Sequence, residues 1–443
     1  MGAAPDWSAR RLHFVGIGGA GMSGLALIAR ALGAQVSGSD RRESSYTERL
    51  REQGIVPTIG HAARNVPPGA EVVYSTAIER DNPERQAATG GELHRADLLA
   101  QIASLRRCIA ITGTHGKTTT SAMVVHALRG CGLDPAYVVG GELRSTGSNA
   151  GWSEGEWIVI EADESDRSLL RLSPEVAVLT NAELDHHATY SSRLELEHTF
   201  RSFMARATRS AVVWNRPDLR ALCPPDAVTF DAADPILVAN GSCFRWRELE
   251  VSLSVPGAHN AVNAAGALTA SVLAGAEARA AAAALGDFRG ARRRFERLGE
   301  TGNGAAVYDD YAHHPTEVAA AIAAARTLEP ARVVAIFQPH LYSRTEALGR
   351  AFGAALANAD LCVVLEVYAA RERPEDHPGV TGMLIAQATA DASAGRPVAW
   401  LPSFPEARRF LAGALRRGDL CLAMGAGNID QLGRSLVGSS APR

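Results

Sequence analysis

Ile109-Ala110-Ile111-Thr112-Gly113-Thr114-His115-Gly116-Lys117-Thr118-Thr119-Thr120 is an apolar run that breaks into glycines, then a lysine, then hydroxyls. That is the order of a strand, a phosphate-binding loop and a helix. Small residues let successive backbone N–H groups turn inward on a phosphate, the following helix aims its positive end at the same place, and a lysine reaches the outer phosphates. The first hydroxyl after the lysine, Thr118, is positioned to hold Mg2+. The eight-residue form of the pattern wants a glycine at 111 and meets Ile111, so what stands here is the shorter G-x-x-G-K-T of Gly113 to Thr118.

Lys117 is the only lysine among 443 residues, while arginine supplies the other 44 of the 45 basic side chains. On a solvated surface either cation serves, but beneath a phosphate chain a compact ammonium on a thin stem fits where a broad guanidinium does not. The one surviving lysine therefore marks a nucleotide site. The rest of the composition is that of ordinary globular protein, with 46% hydrophobic and 21% charged residues and a net charge of −3, which offers no broad basic footprint for nucleic acid. No apolar run reaches membrane-spanning length, and Met1 to Arg10 lacks the apolar core of a secretion signal. Cys108, Cys131, Cys223, Cys243, Cys362 and Cys421 are scattered without a C-x-x-C pair and read as reduced thiols of a cytoplasmic protein. At roughly 150 residues per domain the length suggests about three domains.

Toward the N-terminus, Leu12-His13-Phe14-Val15-Gly16-Ile17-Gly18-Gly19-Ala20-Gly21 reads as a buried strand, a glycine turn and the start of a helix running to about Leu32, with a second strand at Val36 to Ser39 ending on Asp40. Gly16, Gly18 and Gly21 satisfy G-x-G-x-x-G, and Asp40 lies at the distance of a ribose-binding acid, which suggests NAD. The turn itself explains only how a diphosphate approaches backbone N–H groups, and NAD, FAD and UDP-sugars all contain one. Val72 to Ala77 continues as a strand, carrying Ser75 and Thr76 at its end, and Glu92 to Ser104 as a helix. The helix after Lys117 is expected from Thr118 to about Cys131.

Toward the C-terminus, the apolar strand Trp157 to Ile160 delivers Glu161, Asp163, Glu164 and Asp166. Open parallel sheets put their ligands at the carboxyl ends of strands, which favours Glu161 as a Mg2+ ligand. A second strand, Val176 to Asn181, runs into Glu183, Asp185, His186 and His187, an acid and histidine set suited to a second metal ligand. Asn260 and Asn263 are separated by three and share a helix face, where they could bond a base or its ribose or could cap the helix. The basic run Arg292-Arg293-Arg294 could neutralise a transferring phosphate. Further strands at Ala306 to Tyr308, Val333 to Phe337, Leu361 to Leu365 and Leu420 to Ala423 each end in polar or glycine residues, again a doubly wound pattern.

Taken together, FVGIGGAGMSG, GTHGKTTT, EADESD, TNAELDHH, PGAHNAVNAA, RRRFE, DDYAHHPTE, FQPHLYSRT and MGAGNI stand in the order found in the Mur ligases of peptidoglycan synthesis, and the chain closely resembles them, above all the branch that adds L-alanine to UDP-N-acetylmuramate. The resemblance implies an α/β protein of three domains: residues 1–105, Rossmann-like, for the UDP-substrate; 106–297, a P-loop-type domain for ATP; and 298–443, Rossmann-like, closing over ATP and the amino acid. It implies Gly16, Gly18, Gly19, Gly21, Asp40, Ser75 and Thr76 on the UDP moiety, and Gly113, Thr114, His115, Gly116, Lys117, Thr118 and Thr119 on the ATP phosphates. Thr118 and Glu161 would hold one Mg2+ and His186 a second. His259, Asn260 and Asn263 would lie near the adenosine, Arg293 or Arg294 near the γ-phosphate with Asp310 helping, and His340 and Arg344 toward the alanine. His186, His187, His313 and His340 are the groups that could take the proton of its amine. Two departures stand out. Several relatives carry a modified lysine near the second ion, for which this chain has no lysine left, and Leu341 stands where many alanine-adding members have a second arginine. Monomer and homodimer both remain open.

Overall fold

The computed structural model describes residues 6–186, 189–239 and 241–437. Strands and helices alternate along most of the chain, so each strand reaches its parallel neighbour through a crossover helix, and four sheets result. In the first, Thr58–Ile59, Gln35–Asp40, Arg11–Val15, Glu71–Tyr74 and Glu92–His94 lie in that order, all parallel. In the second, Arg107–Thr112 is central, flanked by Val176–Leu179 and Trp157–Glu161, and only the pair Ala136–Leu143 with Ser148–Gly151 is antiparallel. A small antiparallel sheet joins Ala233–Val238, Gly241–Trp246 and Leu249–Leu253. The last sheet runs Glu296–Glu300, Ala306–Asp310, Asp419–Met424, Arg332–Phe337, Leu361–Val364 and Val398–Trp400, parallel except at its first edge.

In that last sheet the side-chain period of two sorts the core into two layers. Val333, Ala335 and Phe337 pack with Val318, Ile322, Phe352 and Ile385 on one face. Val334 and Ile336 pack with Ala407, Leu411 and Leu432 on the other. Helices therefore cover both faces, and its central strands are continuous apolar runs because neither face meets water.

By contacts the chain forms two compact units. One comprises 1–183, 194–231 and 263–285, and the other 184–193, 232–262 and 286–443. The first holds both the glycine-turn sheet and the phosphate-loop sheet. Asn149 Nδ2 donates to Ala20 O (2.6 Å) between them. The chain crosses from one unit to the other several times.

Two elements differ from the sequence reading. The expected helix from Glu92 begins only at Arg95; Glu92–His94 is a strand, since Gly91 O accepts from Val72 N (2.9 Å) and draws the segment onto the sheet edge. The strand expected to reach Ala77 ends at Tyr74. Among the described residues no helix is long and apolar enough to cross a membrane.

Candidate functional site

The phosphate loop leaves the central strand Arg107–Thr112, and its two neighbours supply what holds it. Gly113 has φ +132°, and a Cβ there would lie 2.1 Å from Thr180 Oγ1, so only glycine fits. Thr180 Oγ1 donates to His115 O (2.7 Å). Asn181 brackets the same residue, donating from Nδ2 to His115 O (2.9 Å) and accepting from His115 N at Oδ1 (2.9 Å). Thr114 Oγ1 donates to Glu183 O (2.8 Å) and accepts from Glu183 N (2.9 Å). Residues 180–183, just past the strand Val176–Leu179, thus fix the curvature of the loop.

Gly116, in left-handed conformation, starts the helix Lys117–Gly130, and a Cβ on it would meet Asn263 Oδ1 at 2.5 Å, which puts Asn263 against the loop. Thr119 is buried in the first turn of this helix. Lys117 Nζ donates to Gly113 O (2.7 Å), Thr114 O (3.1 Å) and Glu164 Oε1 (3.0 Å). Burial by itself would lower its pKa, but Glu164, Asp163 and Glu161 outweigh it and hold the ammonium charged. Thr118 Oγ1 donates to Glu161 Oε1 (3.1 Å), while Glu161 Oε2 accepts from Gly140 N (2.6 Å). Two hard oxygens this close beside a phosphate loop suit Mg2+.

In the first sheet Gly16 N and Ile17 N donate to Ser39 O (2.8 and 2.9 Å), and Gly19 N to Gly16 O (3.1 Å). Gly21 opens the helix Ala20–Ala31. Asp40 Oδ2 accepts from Gly18 N (2.8 Å), so the acid that a dinucleotide site would spend on ribose braces the turn instead. Ser75 and Thr76 line a cavity of about 770 Å³ together with Tyr74, Arg80, Glu92 and His94.

In the second unit, His259 is exposed, and Asn260 locks the start of the helix Ala258–Leu273 by donating to Pro256 O (2.7 Å). Arg293 is spent on structure: Nε donates to Asp309 Oδ2 (3.2 Å), Nη1 to Gly427 O (2.9 Å) and Nη2 to Gly425 O (2.8 Å). Arg294 stands beside Glu317 (3.8 Å) and over the Tyr311 ring (5.1 Å). Both Asp310 oxygens accept backbone N–H groups, from Phe295 and Ala312 (2.7 Å each). Burial pushes Asp310 up to about 6 against the opposing Arg294, and Asp309 up to about 7 against Arg293.

Arg344, 3% exposed, grips Asp185 with Nε (2.9 Å) and Nη2 (3.1 Å) and donates from Nη1 to His340 Nδ1 (3.1 Å) and His340 O (3.2 Å). Burial alone would raise Asp185, but Arg344 foremost holds it well below the usual carboxylate range. His186 follows with φ +54°, its carbonyl accepting from Thr189 N (2.7 Å). His187 lies outside the described residues.

The tautomers of two histidines follow from their partners. An arginine can only donate, so His340 Nδ1 accepts and its Nε2 carries the hydrogen. A carbonyl can only accept, so His313 Nδ1 donates to Tyr311 O (2.9 Å) and its Nε2 keeps a lone pair. Burial pushes His313 down to about 4 and His340 to about 2, so both imidazoles are neutral at pH 7. The rings lie 6.2 Å apart.

Three family models match in sequence order: the Mur ligase family catalytic domain at residues 11–107, the Mur ligase middle domain at 111–271 and the Mur ligase glutamate ligase domain at 293–427. The chain belongs to the Mur ligase family. A Streptomyces griseus protein named UDP-N-acetylmuramate–L-alanine ligase is 42% identical, with 96% of each chain covered. A Gloeobacter violaceus protein of the same name is 44% identical over 97% of this chain and 96% of its own. The crystal structure of UDP-N-acetylmuramate-alanine ligase from Thermotoga maritima superposes with a TM-score of 0.82 at 29% identity, covering 96% of this chain and 98% of that one.

Within this Mur ligase what sequence reasoning missed is the clamping role of residues it had read only as strand-end or acidic-cluster side chains. Thr180, Asn181, Glu164 and Asp185 hold the loop, the lysine and an arginine across 47 to 159 residues of sequence, and nothing local marks them.

Proposed function

We propose that this Mur ligase joins L-alanine to UDP-N-acetylmuramate with cleavage of ATP to ADP and phosphate, in peptidoglycan precursor synthesis in the cytoplasm. The observation that carries the reading is the near full-length match to alanine-adding members. The phosphate loop around a single lysine supplies the nucleotide chemistry. A carboxylate does not acylate an amine at neutral pH until its oxygen is made a leaving group. The muramoyl carboxylate oxygen attacks the γ-phosphorus, the bond to the β-phosphate oxygen breaks, and ADP leaves behind an acyl phosphate. The alanine nitrogen then attacks the carbonyl carbon and phosphate departs with the C–O bond.

The loop Gly113 to Thr119 cradles the phosphates, with backbone N–H groups of the first helical turn after Gly116 as donors, and Lys117 moves from Glu164 and the loop carbonyls to the phosphate oxygens. In this reading Arg293 or Arg294 would serve the γ-phosphate, and Asn263 and His259 the adenosine. Thr118 and Glu161 would hold Mg2+, with His186 for a second ion, and the metal supplies charge neutralisation on the phosphate oxygens. The glycine turn, Ser75 and Thr76 take the UDP moiety. Of the described histidines in the last sheet's cluster, His313 presents a free ring nitrogen, Nε2, to accept the amine proton; His340 Nε2 bears a hydrogen and can only donate.

A phosphate-release assay with UDP-N-acetylmuramate and ATP, adding alanine, the cell-wall tripeptide or neither, tests the reading. Alanine-dependent ADP formation is expected. Release driven by the tripeptide alone assigns the chain to peptide reattachment, and no release with any acceptor removes the ligase reading.

A further inference from the structure

Arg371 stands on the loop after the strand Leu361–Val364, and the loop is pinned on both sides of it. Before it, Tyr368 N donates to Pro339 O (2.8 Å) and Leu341 N to Tyr368 O (3.0 Å), so His340 and Tyr368 run as a parallel bridge. Their rings stack 5.8 Å apart at 14°. After it, Glu372 accepts from Ser343 N (3.0 Å) and Ser343 Oγ (2.5 Å) in the first turn of the helix Tyr342–Leu356. Glu372 N donates to Ala369 O (2.9 Å), and Ala370 is left-handed at φ +51°, so the chain reverses there and leaves Arg371 at the rim of the His313–His340 cluster.

Arg371 is exposed, and among the described residues no acid or carbonyl pairs with it. Its neighbour Arg373 is paired, with Asp376 at 3.6 Å. Its charge is felt at His340, where burial first, then His313, Arg344 and Arg371, disfavour the imidazolium. The other guanidinium felt at His340, that of Arg344, is not available. Arg344 is buried and has Asp185 and His340 on all three nitrogens, and a carboxylate arriving from solution would have to strand the buried Asp185 to take it.

Resting on the alanine-ligase reading, we propose that Arg371 binds the α-carboxylate of the incoming amino acid, with the Nε2 hydrogen of His340 as the second donor. A free guanidinium offers a carboxylate two parallel N–H bonds, and the neighbouring imidazole adds a neutral donor that does not repel the amine at the other end of the zwitterion. The amine is then left toward His313 Nε2, the free acceptor of the cluster. The site requires an acceptor with a carboxylate beside the amine.

Steady-state kinetics with alanine varied, on wild type, Arg371→Ala and Arg371→Lys, test this. In Arg371→Ala the KM for alanine rises roughly ten- to a hundredfold. The KM values for ATP and UDP-N-acetylmuramate stay within about twofold, and Arg371→Lys recovers part of the loss. Because the side chain is exposed, the thermal midpoint does not move. The preference for alanine over alaninamide, which lacks the carboxylate charge, collapses in Arg371→Ala alongside. An alanine KM unchanged in Arg371→Ala, or an equal loss for alanine and alaninamide, overturns the assignment while leaving the ligase intact. A wild type that forms no ADP with alanine sinks the underlying reading instead.

Discussion

At the scale of the residue, Lys117 is where composition, geometry and charge converge. Its ammonium reaches two loop carbonyls and Glu164 in a space framed by backbone, a fit that three donors on one nitrogen can make and a planar fork cannot. Lys117→Arg keeps the charge that Glu164 requires, so the chain should still fold while ATP turnover falls by about a hundredfold or more, the range for a lost charge stabiliser in transfer chemistry. Near-normal turnover in that variant would remove the site. The lysine was legible because arginine has replaced lysine everywhere else in the chain. Asp185 was not legible in its present role, because an acid among acids reads as a metal ligand until Arg344, 159 positions away, is seen to hold it. Arg293 holds contacts that a basic run beside a nucleotide motif does not reveal, its nitrogens closing on Gly425 O and Gly427 O.

At the scale of the element, the parallel sheets announced themselves through apolar runs that end in glycine or acid, since a strand buried on both faces has no polar alternation to disguise it. The antiparallel sheet of residues 233–253 did not, because its strands are short and its edge strand Ala233–Val238 is largely solvent-facing; only Leu249 to Leu253 alternates apolar and polar residues over its full length. The phosphate loop shows how one element disciplines another. Gly113 has its backbone against Thr180 and Asn181, so Gly113→Ala forces a Cβ to 2.1 Å from a hydroxyl oxygen and must open the loop. Turnover should drop by about a hundredfold or more, and nucleotide should lose its stabilising effect, which for a ligand at 100 times its Kd is about 2.7 kcal/mol. Gly132 is the control. It too is left-handed, at φ +75°, but nothing lies within 4 Å, so Gly132→Ala should cost only about 1–2 kcal/mol of backbone strain and leave turnover alone. Equal damage from both substitutions would mean the loop is sensitive to strain anywhere and that the clamp by Thr180 and Asn181 is incidental.

At the scale of the whole molecule, a carboxylate outside the reaction contributes to the acid limb of stability beside Asp185. Glu84 is fully buried in the first sheet's unit. It accepts from Asn65 Nδ2 (2.6 Å), Ala62 N (3.2 Å) and Ser39 Oγ, with His61 Nδ1 at 3.3 Å and His13 Nε2 at 3.5 Å. Ser39 O in turn holds the glycine turn, so the network sits directly behind the proposed UDP site. Burial would raise the Glu84 carboxyl, but His13, Ser39, Asn65 and the Ala62 amide outweigh it and bring it from the ordinary 4.5 down to about 2. A folded value below the unfolded one means the unfolded chain binds the proton first. The contribution of Glu84 is therefore complete above about pH 4.5 and drains away as pH falls toward 2. Glu84→Gln should lower the stability of this unit at pH 7 by about 1–3 kcal/mol, the cost of leaving buried partners poorly matched. It should also flatten the dependence of the urea midpoint on pH between 4.5 and 2. If the variant and the wild type share the same acid slope, other carboxylates carry the limb and the network behind the glycine turn is held by packing rather than by charge.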